Sequence, residues 1–224
     1  GANALLAVSL AAARARSQSL GQPLYRQFHH DRSFEMPIPM INIINGGAHA
    51  CNRLDIQEFM LFPVGCDSFS EAIRSCAEIF YALKSQLKAK GKTTLVGDEG
   101  GFAPDLSANE QALDYLMQAC QSAGFEPGKA IYFALDLAST ELYQDGYYHL
   151  PSENRRFDQA QWLSYLTQLT YHYPILSIED AMAEDDWQGW QAVTAVLGNQ
   201  IQLVGDDCFV TQVNRLKQGV DSQS

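Results

Sequence analysis

Three short apolar segments of this sequence each end in a carboxylate. The segments comprise residues 130–136, 173–180 and 200–207. Short apolar runs of this kind, each followed by a helical pattern, are typical of buried parallel strands. Because parallel strands joined by right-handed crossovers end at the same edge of a sheet or barrel, we predict that Asp136, Glu179 and Asp206 lie together at one rim.

The negative charges of three carboxylates at one rim have to be balanced by positive charge. Like charges a few Å apart raise one another's pKa, so the acids would otherwise hold protons. Oxygen ligands suit a hard divalent ion, and Mg²⁺ binds carboxylates while keeping positions for water or a substrate oxygen. An alternative for each acid alone is that it caps the helix after its strand. Three such acids in succession favour a metal site.

Composition limits the class of protein. A chain of 224 residues with 46% hydrophobic residues can form one α/β domain, and its net charge of -11 argues against a nucleic-acid surface or an anionic membrane as partner. The five scattered cysteines contain no CxxC pair, which favours reduced thiols over zinc or disulfides. No segment is long enough to span a bilayer. We therefore expect a cytoplasmic protein.

Two glycine-flanked polar loops, at residues 45–50 and 97–101, interrupt the pattern of helices and strands. Consecutive glycines permit backbone conformations closed to other residues, so we expect loops that close over a site.

The apolar periodicity predicts six helices, at residues 1–19, 68–90, 107–123, 157–171, 185–197 and 211–218. Residues 24–32 are predicted to form a second short helix or a linker, with His29 and His30 as a surface pair. Residues 140–150 are predicted to form a β-hairpin.

Taken together, six motifs of this sequence resemble the enolase family. They are MPIP at 36–39, NGGAH at 45–49, DIQEF at 55–59, GDEGG at 97–101, SIED at 177–180 and GDD at 205–207. The resemblance runs over almost the whole chain, in order and at near-matching spacing. It implies an α/β, TIM-like barrel of enolase type at residues 34–224, preceded at 1–33 by the terminal helices of an N-terminal α+β domain and a linker.

The resemblance also implies an activity, a cofactor and metal ligands. Enolases are lyases that dehydrate 2-phosphoglycerate to phosphoenolpyruvate in glycolysis and gluconeogenesis, with Mg²⁺. Asp136, Glu179 and Asp206 match the ligands of the first Mg²⁺, which binds the substrate carboxylate, so Glu179 and Asp206 also belong to the substrate site. A second Mg²⁺ enters with substrate. The partners implied are this substrate and product, and a second subunit in a homodimer of the full-length family.

Further matches concern acid catalysis and substrate contact. Glu99 matches the general acid that protonates the departing hydroxyl, and Glu58 is its acidic neighbour, which also contacts substrate. His49 matches a loop histidine that closes over the substrate, and Gln57 a substrate contact. A glutamate beside another has a raised pKa, which suits a general acid. The alternatives are that Glu58 is an exposed acid at a strand edge and that His49 is a solvent-facing turn residue.

The sequence departs from the family in what it lacks. The family carries later barrel strands with a base lysine and a phosphate-binding segment, whereas Lys217 lies only one helix beyond Asp206 and is a poor candidate for the base. We therefore expect a fragment with about the first five strands of the barrel. We also expect it to bind Mg²⁺ weakly and turn over little or no substrate, because general-base assistance contributes about 10²- to 10⁴-fold.

Two other functions remain open. One is a non-catalytic, enolase-derived binding or interaction protein, since bare barrel edges favour a partner and family members have secondary roles at cell surfaces. The other is a racemase or cycloisomerase of the wider superfamily. Those enzymes usually place a Lys-x-Lys pair on an early barrel strand, and residues 55–63 contain no lysine.

Overall fold

The computed structural model describes residues 1–28 and 33–224. These residues divide into two compact units, Gly1–Pro37 and Ile38–Ser224. The first unit contains helix α1 (Ala2–Ser19) and a 3-10 turn at Leu24–Gln27. The predicted first helix is thus confirmed, and the predicted second helix is reduced to this turn. The predicted surface pair, His29 and His30, lies outside the described residues.

The second unit is an α/β structure that begins with strand β1. Its strands are β1 (Ile41–Asn45), β2 (Glu58–Phe62), β3 (Tyr132–Asp136), β4 (Tyr143–Gln144), β5 (Tyr147–Leu150), β6 (Arg155–Phe157), β7 (Ile175–Glu179) and β8 (Gln202–Val204). Its helices are α2 (Phe69–Ala89), α3 (Asn109–Ser122), α4 (Ser139–Leu142), α5 (Gln159–His172), α6 (Trp187–Leu197) and α7 (Val213–Ser222). Each helix longer than four residues, and the β4–β5 hairpin, was predicted from the sequence.

The five strands of the main sheet lie in the order β1-β2-β3-β7-β8. Strands β1, β2 and β3 pair antiparallel, whereas β3, β7 and β8 pair parallel. The parallel crossovers predicted for the second half of the chain are therefore confirmed. Over the described ranges the sheet ends at β1 and at β8 and does not close on itself, as expected for an incomplete barrel.

Local capping and core packing explain why the helices begin where they do. The Ser68 hydroxyl accepts a hydrogen bond from the backbone N–H of Glu71 and starts α2. Asp158 and Gln161 form a capping box at the start of α5. Apolar side chains of α2 and α3, such as Leu83 and Leu116, are fully buried against the sheet in one continuous core.

The small sheet β4-β5-β6 packs under α5. Its turn has positive φ at Asp145 and Gly146, as a tight hairpin requires. The Tyr148 ring stacks on the Trp162 indole with ring centroids 5.0 Å apart, and both side chains are fully buried. The Trp162 Nε1–H donates to the Ala181 carbonyl at 2.9 Å, which holds the chain just beyond β7. None of the described helices is both long and apolar enough to cross a membrane.

Candidate active site

The ends of three adjacent strands place carboxylates side by side. Glu58 lies opposite Asp136 in the β2–β3 ladder, and Asp136 lies beside Glu179 in the β3–β7 ladder. Because β2 runs antiparallel to β3, the first residue of β2 meets the last residue of β3. The rim predicted from strand ends therefore contains Glu58 as well, and Glu58 lies on an inner strand of the sheet rather than at its edge.

Asp136 is the most deeply buried of the predicted metal ligands, with 6% of its surface exposed. One carboxylate oxygen accepts the Ala138 N–H at 2.9 Å, and the other accepts the Gln57 Nε2–H at 3.0 Å. Burial raises the pKa of this carboxyl, and these hydrogen bonds oppose the rise. Gln57, predicted as a substrate contact, thus binds Asp136 in this structure.

Glu179 carries the clearest sign of uncompensated charge among the predicted ligands. Burial first, and then the charges of Asp136, Asp180 and Asp206, raise its pKa to about 7. Asp206 itself is exposed, and it lies two residues beyond Val204, the residue beside Glu179 in the β7–β8 ladder. The structure therefore brings the three predicted ligands to one rim. A divalent cation there would relieve their repulsion. Among the described residues, however, the oxygens of these three acids do not all lie within 4.8 Å of one another, so they would have to move closer to share one ion.

Asp180 is a residue of this rim to which the sequence analysis gave no role. Its side chain is buried, with 3% exposed, and its backbone has φ of +46°. The carboxylate accepts the backbone N–H groups of Asp206 at 3.1 Å, Asp207 at 2.9 Å and Cys208 at 3.4 Å. Burial is the main cause that raises its pKa to about 6. Asp180 thus fixes the loop that carries Asp206.

A second cluster, of His49, Glu58 and Glu99, adjoins the rim. The His49 Nδ1 atom lies 3.5 Å from Glu58 Oε1 and 3.9 Å from Glu99 Oε1. In the part of the chain that the structure describes, these three side chains offer ligand atoms within 4.8 Å of one another. The cluster could therefore hold a cation, and it contains both predicted acid residues and the predicted loop histidine.

The two glutamates of this cluster have pKa values shifted in opposite directions. Burial, the hydrogen bond to Glu99 and the charge of Asp136 raise the pKa of Glu58 to about 9. The same hydrogen bond lowers the pKa of Glu99. The structure thus places the proton on Glu58, whereas the sequence analysis expected the raised pKa for the general acid Glu99. The difference arises because Glu58 is half-buried in the sheet and Glu99 lies at the tip of an exposed loop.

The two glycine loops pack directly on each other. The His49 carbonyl accepts the Asp98 N–H at 3.1 Å, and the Gly97 N–H donates to the Gly101 carbonyl at 2.8 Å. A Cβ atom on Gly97 would lie 2.5 Å from the His49 carbonyl oxygen, so this close approach requires glycine. The loops predicted to close over a site therefore hold His49 and Glu99 on the same side as Glu58.

Lys217, the poor candidate for the base, lies on α7 and is exposed. Two residues without an assigned role, Asp180 at the rim and Asn45, which is the last residue of β1 and lies opposite Glu58, could have been suspected from the sequence. Asp180 directly follows Glu179 at the end of an apolar run, and Asn45 precedes a glycine pair at the end of another. Both signals, however, are common to many turns.

Comparison with known proteins agrees with this geometry. A protein-family profile described as "Enolase, C-terminal TIM barrel domain" matches residues 33–224. A protein named enolase from Legionella pneumophila strain Lens is 54% identical over 220 residues, which make up 98% of this chain and 52% of that protein. The enolase of strain Corby matches to the same extent. The chain thus spans about half the length of the curated relatives it matches. The chain belongs to the enolase family, a family of lyases.

Proposed function

We propose that this chain supplies the metal-binding rim and the acid pair of an active site that dehydrates 2-phosphoglycerate to phosphoenolpyruvate. One observation carries the proposal: Glu58, Asp136 and Glu179 occupy successive positions across three strands, and Glu58 is hydrogen-bonded to Glu99. Family membership supplies the reaction. We further propose that residues 1–33 end an N-terminal domain and that residues 34–224 belong to the barrel, in a cytoplasmic, homodimeric enzyme.

The rim residues would hold Mg²⁺ through carboxylate oxygens. Asp136, Glu179 and Asp206 are the proposed ligands, and Glu179 and Asp206 then also face the substrate. When bound, Mg²⁺ would stabilise the negative charge that develops on the substrate carboxylate after proton removal. Gln57 contributes by orienting the Asp136 carboxylate through its 3.0 Å hydrogen bond.

The acid pair, Glu58 and Glu99, would supply the proton that the departing hydroxyl takes up. Glu58 holds a proton next to Glu99, so the pair can pass it to the Glu99 carboxylate, which is the more exposed of the two. Protonated Glu99 would then donate to the leaving oxygen. His49, within 4 Å of both carboxylates, would contact the substrate as the glycine loop covers it.

The proton-abstraction step needs a base that these residues do not provide. Lys217 is exposed on α7, one helix beyond Asp206 in the sequence. We therefore propose that the chain alone turns over little or no 2-phosphoglycerate. Formation of phosphoenolpyruvate by the purified chain, abolished by Glu99→Gln, would contradict this part of the proposal.

A chimera tests the function itself. The 220 matched residues of the Legionella pneumophila enolase are replaced by those of this chain, and phosphoenolpyruvate formation from 2-phosphoglycerate is measured with Mg²⁺. We expect an active chimera, and losses of at least about 10²-fold in kcat with Glu99→Gln, because general-acid assistance is removed. Glu126→Gln, at an exposed surface ion pair with Lys129, is the matched control and should leave kcat unchanged. A folded but inactive chimera would refute the proposed function.

A non-catalytic binding role is the second candidate, and one observation favours it. The side chains of Val213, Leu216 and Val220 on α7, the helix that follows β8 in the chain, are each more than half exposed. An apolar face of this kind favours association. Sedimentation of the purified chain separates the outcomes, since a monodisperse, folded complex supports this role and insoluble aggregate counts against it.

A further inference from the structure

Asn45 occupies the junction between the two acid residues. It is the last residue of β1, it lies opposite Glu58 in the β1–β2 ladder, and its side chain has no exposed surface. Its Oδ1 atom accepts the Gly101 N–H at 3.0 Å, two residues beyond Glu99. One side chain thus connects the strand that pairs with Glu58 to the loop that carries Glu99.

The orientation of the Asn45 amide is determined by this hydrogen bond. A backbone N–H can only donate, so the atom facing Gly101 has to be the oxygen. Among residues 1–28 and 33–224, the buried Nδ2 atom has no hydrogen-bond partner. A buried, unpaired N–H donor is unfavourable. The hydrogen bond from the Gly101 N–H to Oδ1 is therefore the polar interaction by which the Asn45 side chain stabilises this region.

The loop lies directly on the Asn45 side chain. A Cβ atom on Gly101 would lie 2.7 Å from Asn45 Oδ1, and one on Gly97 would lie 2.8 Å from Asn45 Cβ. Both distances are shorter than ordinary van der Waals contact. The backbone on either side is also fixed, since the Asn45 N–H donates to the Phe102 carbonyl and the Phe102 N–H to the Ile43 carbonyl, each at 2.9 Å. The base of the loop is therefore held against the end of β1.

Two neighbouring asparagines, Asn42 and Asn52, are less suited to holding the 97–101 loop in place. Asn42 Nδ2 reaches Glu99 Oε2 at 3.4 Å, but this long contact is at an exposed position. Asn52 Nδ2 donates to the carbonyls of Asn45 at 2.9 Å and Pro104 at 3.1 Å, so it steadies Asn45 without contacting the loop tip. Of these three side chains, Asn45 is the one that binds a backbone N–H of the 97–101 loop.

We infer that Asn45 is a positioning residue that sets the separation of the Glu58 and Glu99 carboxyl groups. The inference rests on the proposed function for the role of those two groups, but the contact it describes exists without substrate or metal. Loss of the Asn45 amide frees the 97–101 loop, and Glu99 then leaves hydrogen-bond reach of Glu58. A displacement of about 1 Å is enough to reduce catalysis by about 10²-fold.

Amide hydrogen exchange of the full chain, measured by NMR without metal, tests the contact. With Asn45→Ala we expect the Gly101 amide to exchange at least about tenfold faster, with the core amides of β2 and β3 unchanged. Asn45→Asp keeps the acceptor oxygen and should restore slow exchange. Asn109→Ala removes another fully buried asparagine, whose Oδ1 accepts from Asp55 and Ile56, and should leave Gly101 protected. Unchanged exchange at Gly101 in Asn45→Ala would overturn the inference.

The chimera separates this inference from the proposed function. Asn45→Ala should lower kcat by about 10- to 10²-fold and leave KM within about twofold, because the loop carries the acid rather than the metal ligands. An active chimera whose kcat is unaffected by Asn45→Ala would overturn the inference. An inactive unsubstituted chimera would refute the proposed function instead, and the exchange experiment would still decide whether Asn45 positions the loop.

Discussion

Glu58, the first residue of β2, lies directly opposite Asp136, the last residue of β3. An antiparallel pair thus joins the protonated member of the acid pair to the most deeply buried of the proposed metal ligands. The charge of Asp136 contributes to the raised pKa of Glu58. Occupation of the metal site should therefore alter the proton held by the acid pair.

The stability of the metal-free chain should fall as pH rises from about 5 to 9. Burial is the main cause that raises the pKa of Asp180 to about 6, of Glu179 to about 7 and of Glu58 to about 9. In this window the folded chain holds protons that the unfolded chain has released, so the stabilisation is complete below the unfolded pKa values and is lost as pH rises through the folded ones. Urea unfolding at pH 5.5, 7 and 8.5 measures the trend.

A glutamine at position 58 isolates one part of this effect. Glu58→Gln keeps the site neutral at all these pH values, so the fall in unfolding free energy between pH 7 and 9 should be shallower than in the unsubstituted chain. Glu126→Gln, at an exposed surface position, should keep the original slope. An unfolding free energy that rises over this range, or equal slopes in Glu58→Gln and the parent, would contradict the assignment of the proton to Glu58.

The Asp180 carboxylate should support metal binding without contacting the metal. Asp180→Asn replaces one acceptor oxygen by a donor, so at least one of the N–H groups of Asp206, Asp207 and Cys208 loses its partner. We expect a loss of about 1–3 kcal/mol in unfolding free energy and of about 10- to 100-fold in divalent-metal affinity.

Calorimetric titration with Mn²⁺, a paramagnetic substitute for Mg²⁺, measures this affinity, and Asp185→Asn is its control. The Asp185 side chain is 76% exposed and pairs with Arg215. Its substitution should leave the affinity unchanged. Metal affinity that survives intact in a folded Asp180→Asn chain would show that the 206–208 loop does not depend on this carboxylate.

The sequence patterns were sufficient for the strand ends but not for strand direction. Three apolar runs that end in acids predicted the Asp136, Glu179 and Asp206 rim, because parallel strands share an edge. Glu58 lies at the start of its strand, and no pattern in residues 55–63 indicates that β2 runs antiparallel to β3. Its place at the rim follows only from the β2–β3 pairing, which is a contact between distant segments.

Asn45 and Asp180 were missed for a related physical reason. Their partners are backbone N–H groups, which every residue other than proline carries, so no residue type in the partner segment reveals the bond. The proton on Glu58 was also beyond sequence analysis. The resemblance to the enolase family implied that Glu58 and Glu99 adjoin, but burial decides which of them is neutral, and burial depends on the finished fold.

Trp162 should contribute to stability through its indole N–H as well as its packing. Trp162→Phe leaves the buried Ala181 carbonyl without its donor and removes ring area stacked on Tyr148. We expect a loss of about 2–4 kcal/mol in unfolding free energy by urea denaturation. Trp187→Phe, at a partly exposed position, should cost less than about 1 kcal/mol. Equal costs for the two substitutions would mean that the Ala181 bond is not formed.

Divalent-metal binding by the isolated chain tests the central claim most directly. Mn²⁺ binding, followed by the electron paramagnetic resonance of the free ion, should reveal a weak site whose affinity falls at least about tenfold in Asp136→Asn and in Glu179→Gln. Glu126→Gln should bind as the parent does, since its side chain lies in an exposed ion pair. Loss of binding in the two rim variants alone is the result that the account predicts. Equal binding by folded parent and rim variants would contradict it.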